Sequence, residues 1–89
     1  MKISHGPEKE KLNLKDHKIS LAEAARLDWG VMQTRLDRRH DYGEDRWIGY
    51  APLGERLYCV VFVERDGGKR IISLRKANNR EVKRYEAKK

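Results

Sequence analysis

Apolar and polar positions along the chain fall into blocks that read as elements. Residues 57–63, LYCVVFV, form a continuous apolar run, residues 71–74, IISL, form a second, and Asp66, Gly67 and Gly68 stand between them. Two strands joined by a hairpin, near 57–64 and 69–75, account for that spacing. Upstream, the alternation over residues 31–36 is compatible with a strand, and residues 46–51 predict another. Residues 1–4 are compatible with a short strand that Gly6 and Pro7 stop. Residues 37–45, DRRHDYGED, are too polar and turn-rich for anything but a loop.

Three helices fit the remaining segments. Pro7 suits a first turn and Glu8 and Glu10 suit its positive end, which predicts a helix over residues 7–16. Ser20 and Glu23 have the spacing of a capping box, in which each side chain accepts from the other residue's backbone amide, so a second helix is expected over residues 21–27. Asn78 and Glu81 repeat that spacing before a last helix. On its wheel Asn78, Val82 and Tyr85 share one side, while Arg80, Lys83, Arg84 and Ala87 gather on the other. That helix packs by one edge and shows cations on the opposite one. No internal repeat, low-complexity linker or composition shift divides the chain, so residues 1–89 read as one domain.

Composition limits what such a domain does. A chain of 89 residues buries roughly 60–65 % of the surface its unfolded form exposes, which leaves a modest core and no large substrate cavity. The longest apolar run is far short of the roughly 20 residues of a membrane helix, and the N-terminus lacks the apolar segment of a signal peptide. A soluble, cytoplasmic protein is expected. Cys59 is the single cysteine and sits inside an apolar strand, where it reads as a small core residue in a reducing compartment. Residues 1–45 carry nine Lys/Arg and nine Asp/Glu, whereas residues 46–89 carry twelve and five, so the whole net charge of +7 lies in the second half. A field of that sign draws in nucleic acid. A solvated surface or an acidic protein partner is the other reading of the same charge.

Three ordered blocks carry a resemblance to a known family. The first is Pro7-x-Lys9-x-x-x-Asn13-Leu14-x-x-His17-x-x-Ser20-x-x-Glu23-Ala24, the second is YGEDRW from Tyr42 to Trp47, and the third is RIISLRKANNREVKRYE over residues 70–86. Together they resemble the BrnT toxins of bacterial type II toxin–antitoxin pairs, which look like RelE-fold ribonucleases. The chain departs from the family pattern at His5-Gly6, where Trp-Asp is common, at Asp16, where Lys is common, and at Lys18, where Gly usually follows the histidine. The resemblance implies a small α+β RelE-like domain with N-terminal helices, a four-stranded antiparallel sheet with helices on one side, and a C-terminal helix. It further implies a ribonuclease toxin that inhibits translation and growth. Its implied partners are an RNA substrate and a cognate BrnA-like ribbon-helix-helix antitoxin, held in a hetero-oligomer that meets operator DNA only through the antitoxin.

RNA cleavage by attack of the substrate's own 2′-hydroxyl needs cations to hold the phosphate and groups to move protons, with no metal required. Arg75, at the end of its strand and next to a helix start, is a candidate for the phosphate, and an ion pair with a carboxylate such as Glu81 is its structural alternative. Arg46 is a second candidate, with a pair to Glu44 as its alternative. His17 is the first choice for proton transfer, though a histidine just past a helix end also caps carbonyls, and His40 is another choice. Tyr85 either donates to the phosphate or packs beside Val82 with its hydroxyl exposed. Lys76, Arg80, Lys83 and Arg84 are expected to bind RNA or meet the antitoxin's acids. Trp29 and Trp47 read as core more than as base-stacking platforms. The histidines and the cysteine show no metal-ligand spacing and no glycine-rich phosphate loop precedes a helix, so neither a metal nor another cofactor is expected. A non-catalytic nucleic-acid-binding module that has kept the fold is the alternative class.

Overall fold

The computed structural model describes residues 1–39 and 43–89, so His40, Asp41 and Tyr42, two of them named in the expectations above, lie outside the described residues. Five strands form one sheet. In chain order the elements are β1 (Lys2–Ser4), α1 (Pro7–His17), 3₁₀ segments at Leu21–Arg26 and Trp29–Val31, β2 (Gln33–Leu36), β3 (Trp47–Leu53), β4 (Arg56–Arg65), β5 (Gly68–Lys76) and α2 (Asn79–Ala87). The strand order is β1-β5-β4-β3-β2. β2 to β5 are antiparallel neighbours, and β1 adds a fifth strand parallel to β5, with Lys2 opposite Gly68 and Ser4 opposite Arg70. The α+β class is as expected; the strand count is five rather than four because the N-terminal tripeptide joins the sheet. Gly68 permits that close approach, since a Cβ on it would lie 2.6 Å from the carbonyl oxygen of Lys2. The β4–β5 turn has Asp66 and Gly67 both at positive φ, 52° and 76°, the geometry of a two-residue hairpin.

The continuous apolar character of β4 has a physical cause: both of its faces are covered. Alternate residues Val60 and Phe62, with Ala51, Ile71 and Leu74, meet Leu21, Ala24 and Leu27 from the first 3₁₀ segment. The intervening Cys59 and Val61, with Ile48 and Tyr50, meet Tyr85 from α2. The elements outside the sheet are therefore divided between its two faces, and the expectation of helices on one side is corrected. Trp29 and Trp47 pack against the first of these clusters, Trp29 with its ring edge-on to Phe62 at a centroid separation of 5.2 Å.

The segment after α1 also departs from expectation. Residues 21–26 form a 3₁₀ helix rather than an α-helix, and the box between Ser20 and Glu23 does not close. Glu10 of α1 takes its place. One carboxylate oxygen accepts from the Ser20 hydroxyl at 2.7 Å and the other from the Leu21 amide at 2.7 Å. The Ser20 bond, then the amide bond, hold the Glu10 carboxyl below its ordinary range. Glu23, left without that role, pairs with Arg26. A short run anchored at its start by a neighbouring helix suits the tighter 3₁₀ geometry. The expected box of the last helix does close: Asn78 Oδ1 accepts from the Glu81 amide and Glu81 Oε1 from the Asn78 amide, each at 2.9 Å. Among the described residues no helix is long and apolar enough to cross a membrane.

Candidate functional site

One face of the sheet carries most of the candidate side chains. Alternation along paired strands puts Gln33 and Arg35 of β2, Ile48 and Tyr50 of β3, Cys59 and Val61 of β4, and Ser73 and Arg75 of β5 on the face that α2 covers at one end. Arg46 precedes β3 with the parity of Ile48. α1 packs against β5 at the margin of the sheet. Among the described residues, two of the depressions that interrupt this face gather charged candidate side chains.

The first, about 250 Å³, lies against α1. Its walls include Lys9, Asp16 and His17 from α1, Asp37 and Arg39 from the chain after β2, Arg46, Val61 and Ser73. Thus His17 and Arg46, two of the residues nominated from sequence, line one groove. His17 is presented by the last turn of α1, which ends where Lys18 takes a left-handed conformation (φ 61°, ψ 27°) and donates its amide to Leu14 O at 3.1 Å. The Asp37 amide donates to Arg46 O at 2.8 Å and so ties the end of β2 to the approach of β3. The Asp37 carboxylate is buried and accepts from the Arg39 amide at 3.1 Å and from the Arg39 guanidinium at 2.9 Å on each oxygen. The Arg39 side chain is nevertheless 67 % exposed, so its charge is aimed and still open to solvent. Glu44, suggested as a partner for Arg46, gives its carboxylate to Arg65 at 2.6 and 3.2 Å, and that bond holds the Glu44 carboxyl low.

Arg75 and Tyr85 are placed elsewhere. The Arg75 guanidinium grips both oxygens of Glu81, at 2.8 and 2.9 Å, and a further N–H reaches Lys76 O at 3.2 Å. Glu81 also accepts from the Tyr50 hydroxyl at 3.0 Å. These donors, Arg75 first, overcome desolvation and pull the Glu81 carboxyl down to about 2, while the Arg75 guanidinium is driven further up by the same bond. Burial, ahead of its neighbours Cys59 and Glu81, raises the Tyr50 phenol, and burial likewise raises the Cys59 thiol, which argues against Cys59 as a nucleophile. Tyr85 is buried, with its hydroxyl donating to Val31 O at 3.3 Å and its carbonyl accepting from Gln33 Nε2 at 3.1 Å. It lines the second depression, about 660 Å³, together with Arg35, Tyr50, Arg84 and Lys88. Lys76, Arg80 and Lys83 are exposed and line neither depression.

Sequence reasoning passed over Lys9, Arg35, Arg39 and Lys88 as site residues. For Arg35 a signal was present: two residues after Gln33 in a strand, it shares that residue's face. For Arg39 there was none, since only the fold of the chain after β2 turns it to the groove.

The comparisons with known proteins agree with this architecture. Residues 6–81 match the family model described as "Ribonuclease toxin, BrnT, of type II toxin-antitoxin system". The fold is similar to that of the Brucella abortus ribonuclease toxin, BrnT, known from a 1.1 Å crystal structure, with a TM-score of 0.65 over 89 % of this chain and 99 % of that one. Sequence identity to it is 18 %, so that likeness speaks for the fold alone. No curated protein sequence matches the chain. Because the family pattern runs from the residue that opens α1 to the glutamate that closes the cap of α2, the chain belongs to the BrnT family of ribonuclease toxins of type II toxin–antitoxin systems.

Proposed function

We propose that this chain is a metal-independent endoribonuclease that inhibits translation and growth in the cytoplasm, and that a BrnA-like ribbon-helix-helix antitoxin neutralises it in a hetero-oligomer. The observation that carries the reading is the groove lined by both His17 of α1 and Arg46, just before β3, with Lys9 and Arg39 also on its walls. We assign Arg46, aided by Arg39 and Lys9, to the scissile phosphate, where fixed cations offset the charge that builds as the 2′-oxygen adds to phosphorus. The imidazole of His17 serves proton transfer, since one ring nitrogen can accept a proton while the other donates one. The 2′-oxygen-to-phosphorus bond forms, the phosphorus-to-5′-oxygen bond breaks, and the proton lost by the 2′-hydroxyl is returned to the 5′-oxygen through His17 and solvent. The products are a 2′,3′-cyclic phosphate and a 5′-hydroxyl.

Arg75 and Tyr85 are assigned to holding α2 on the sheet, since their polar groups are already engaged there. Lys76, Arg80, Lys83 and Arg84 draw RNA toward the face and offer charge to the antitoxin. The test is incubation of the purified chain with RNA in excess chelator, followed by analysis of fragment ends. Cleavage with cyclic phosphate ends is expected. RNA that is bound and left intact would identify a binding module, and activity lost on chelation and restored by a divalent ion would overturn the metal-independent step.

A further inference from the structure

The second depression on the sheet face is walled by two elements and floored by a third. β2 supplies Arg35, α2 supplies Glu81 and Arg84 with Lys88 at its C-cap, and β3 supplies Tyr50 beneath them. Its charge balance is decided by Glu81. A carboxylate has about four lone-pair sites, and here the two Arg75 N–H groups, the Asn78 amide and the Tyr50 hydroxyl occupy them. The one acid in the wall is thereby saturated and its charge offset by Arg75, on the far side of it. Arg84 lies over the Tyr50 ring at 5.8 Å, and among the described residues no carboxylate forms an ion pair with Arg35, Arg84 or Lys88. Three cations therefore face one cavity with no anion left to answer them.

We infer that this depression is a second phosphate-binding subsite for single-stranded RNA, taking a backbone phosphate several nucleotides from the one at Arg46. The inference rests on the ribonuclease reading for its ligand class. Its geometry comes from β3: Arg46 and Tyr50 are four residues apart with the same parity, about 13 Å along the strand. One strand crossing the face spans that distance within a few nucleotides and so reaches both depressions. An acidic segment of a protein partner has complementary charge too, but RNA is favoured because the cavity shares its open face with the groove of His17 and Arg46.

The experiment compares the parent with the exposed-residue variant Arg35→Gln with Lys88→Gln, on a dinucleotide too short to reach the cavity and on an RNA several nucleotides longer. Circular dichroism melts of both proteins establish that the variant is folded. Binding is measured with a 2′-deoxy form of the longer strand at several salt concentrations. For the variant, KM for the longer RNA should rise about tenfold with little change in kcat, the dinucleotide should be unaffected, and the salt slope of binding should shrink by about 1.4, the value for two contacts on a single strand. Cleavage of the longer RNA with unchanged KM and salt slope overturns the subsite while the ribonuclease reading stands. Binding that loses its salt slope in the variant, with no cleavage by either protein, supports the subsite and removes the ribonuclease reading. Unchanged RNA binding with weakened affinity for the antitoxin assigns the cavity to the protein partner and overturns the proposal.

Discussion

The carboxamide of Asn13 in α1 pairs with both backbone groups of Leu74 in β5, 61 residues further along the chain. Nδ2 donates to Leu74 O at 2.8 Å and Oδ1 accepts from Leu74 N at 3.0 Å. The same Nδ2 donates to Ile19 O at 3.0 Å. β1 leaves the outer edge of β5 after Arg70, and Asn13 supplies at Leu74 the donor and acceptor that a neighbouring strand would otherwise provide. This bond pair stands beside the groove, because Asn13 and Ser73 both line it.

Asn13→Asp tests that relationship with little change of shape. The new carboxylate oxygen would face the carbonyls of Leu74 and Ile19 in place of an N–H donor, in a side chain only 3 % exposed. A loss of about 2–4 kcal/mol is expected from the unsatisfied buried groups, seen as a fall in Tm of roughly 10–25 °C for a domain of this size. Thermal unfolding at pH 7 is the measurement, and a Tm within a few degrees of the parent would show that β5 holds its edge without Asn13.

Acid should weaken the attachment of α2 in a defined window. The folded Glu81 carboxyl lies at about 2 against an ordinary 4.5. A depressed carboxyl contributes stability that is present above the unfolded value and is lost as pH falls through the folded one, so the loss runs from about pH 4.5 down to about pH 2. Glu81→Gln should flatten the stability profile across that window, read from urea unfolding at intervals of pH. Arg75→Ala leaves the carboxylate without its main partner and should cost about 1–3 kcal/mol, less than for a fully buried pair because the Arg75 side chain is 36 % exposed.

What was legible in the sequence followed from local rules. The apolar blocks, the turn residues and the Asn78–Glu81 spacing act within a few residues, and the elements they predict are present. What was missed depends on distance in the chain. Ser20 and Glu23 satisfy the pattern of a capping box, but the Ser20 hydroxyl is engaged elsewhere, donating to Glu10 of the preceding helix and accepting from the Ala22 amide, while Glu10 also takes the Leu21 amide. Arg75 and Arg46 look alike in sequence as strand-end cations, and only the fold decides that one meets Glu81 while the other lines the groove with His17. The groove itself exists because α1 stands at the β5 margin, a placement set by Asn13 and invisible to periodicity.

The residue after His17 offers a stabilising change. Lys18 adopts φ 61°, the left-handed conformation in which a Cβ is disfavoured and glycine is not, and the family pattern commonly has glycine there. Its ammonium reaches Lys15 O at 3.0 Å, an exposed bond of small value. Lys18→Gly should therefore raise stability by about 0.5–1 kcal/mol, the relief of left-handed strain less the extra freedom of glycine in the unfolded chain. Chemical unfolding with a fixed m-value is the check, and a lower midpoint would mean that the Lys18 side chain contributes more than its geometry suggests.

The assignment of the groove predicts a division among three variants that stability alone would not produce. Arg46→Ala removes a fixed cation from the proposed phosphate position, and a fall in cleavage rate of roughly 10²–10³-fold is expected, the scale for losing one such donor. His17→Ala removes the proton-transfer group and should lower the rate by roughly 10²–10⁴-fold. His17 is exposed on the last turn of α1, so its variant should melt close to the parent. Arg75→Ala should behave in the opposite way, losing stability while keeping most of its rate per folded molecule, because the guanidinium it removes was committed to Glu81. Rates are measured at a temperature well below every melting midpoint, with the folded fraction of each variant established by circular dichroism. If Arg75→Ala is folded and loses as much rate as Arg46→Ala, the reacting phosphate sits nearer α2 than proposed, and the groove beside α1 serves binding instead.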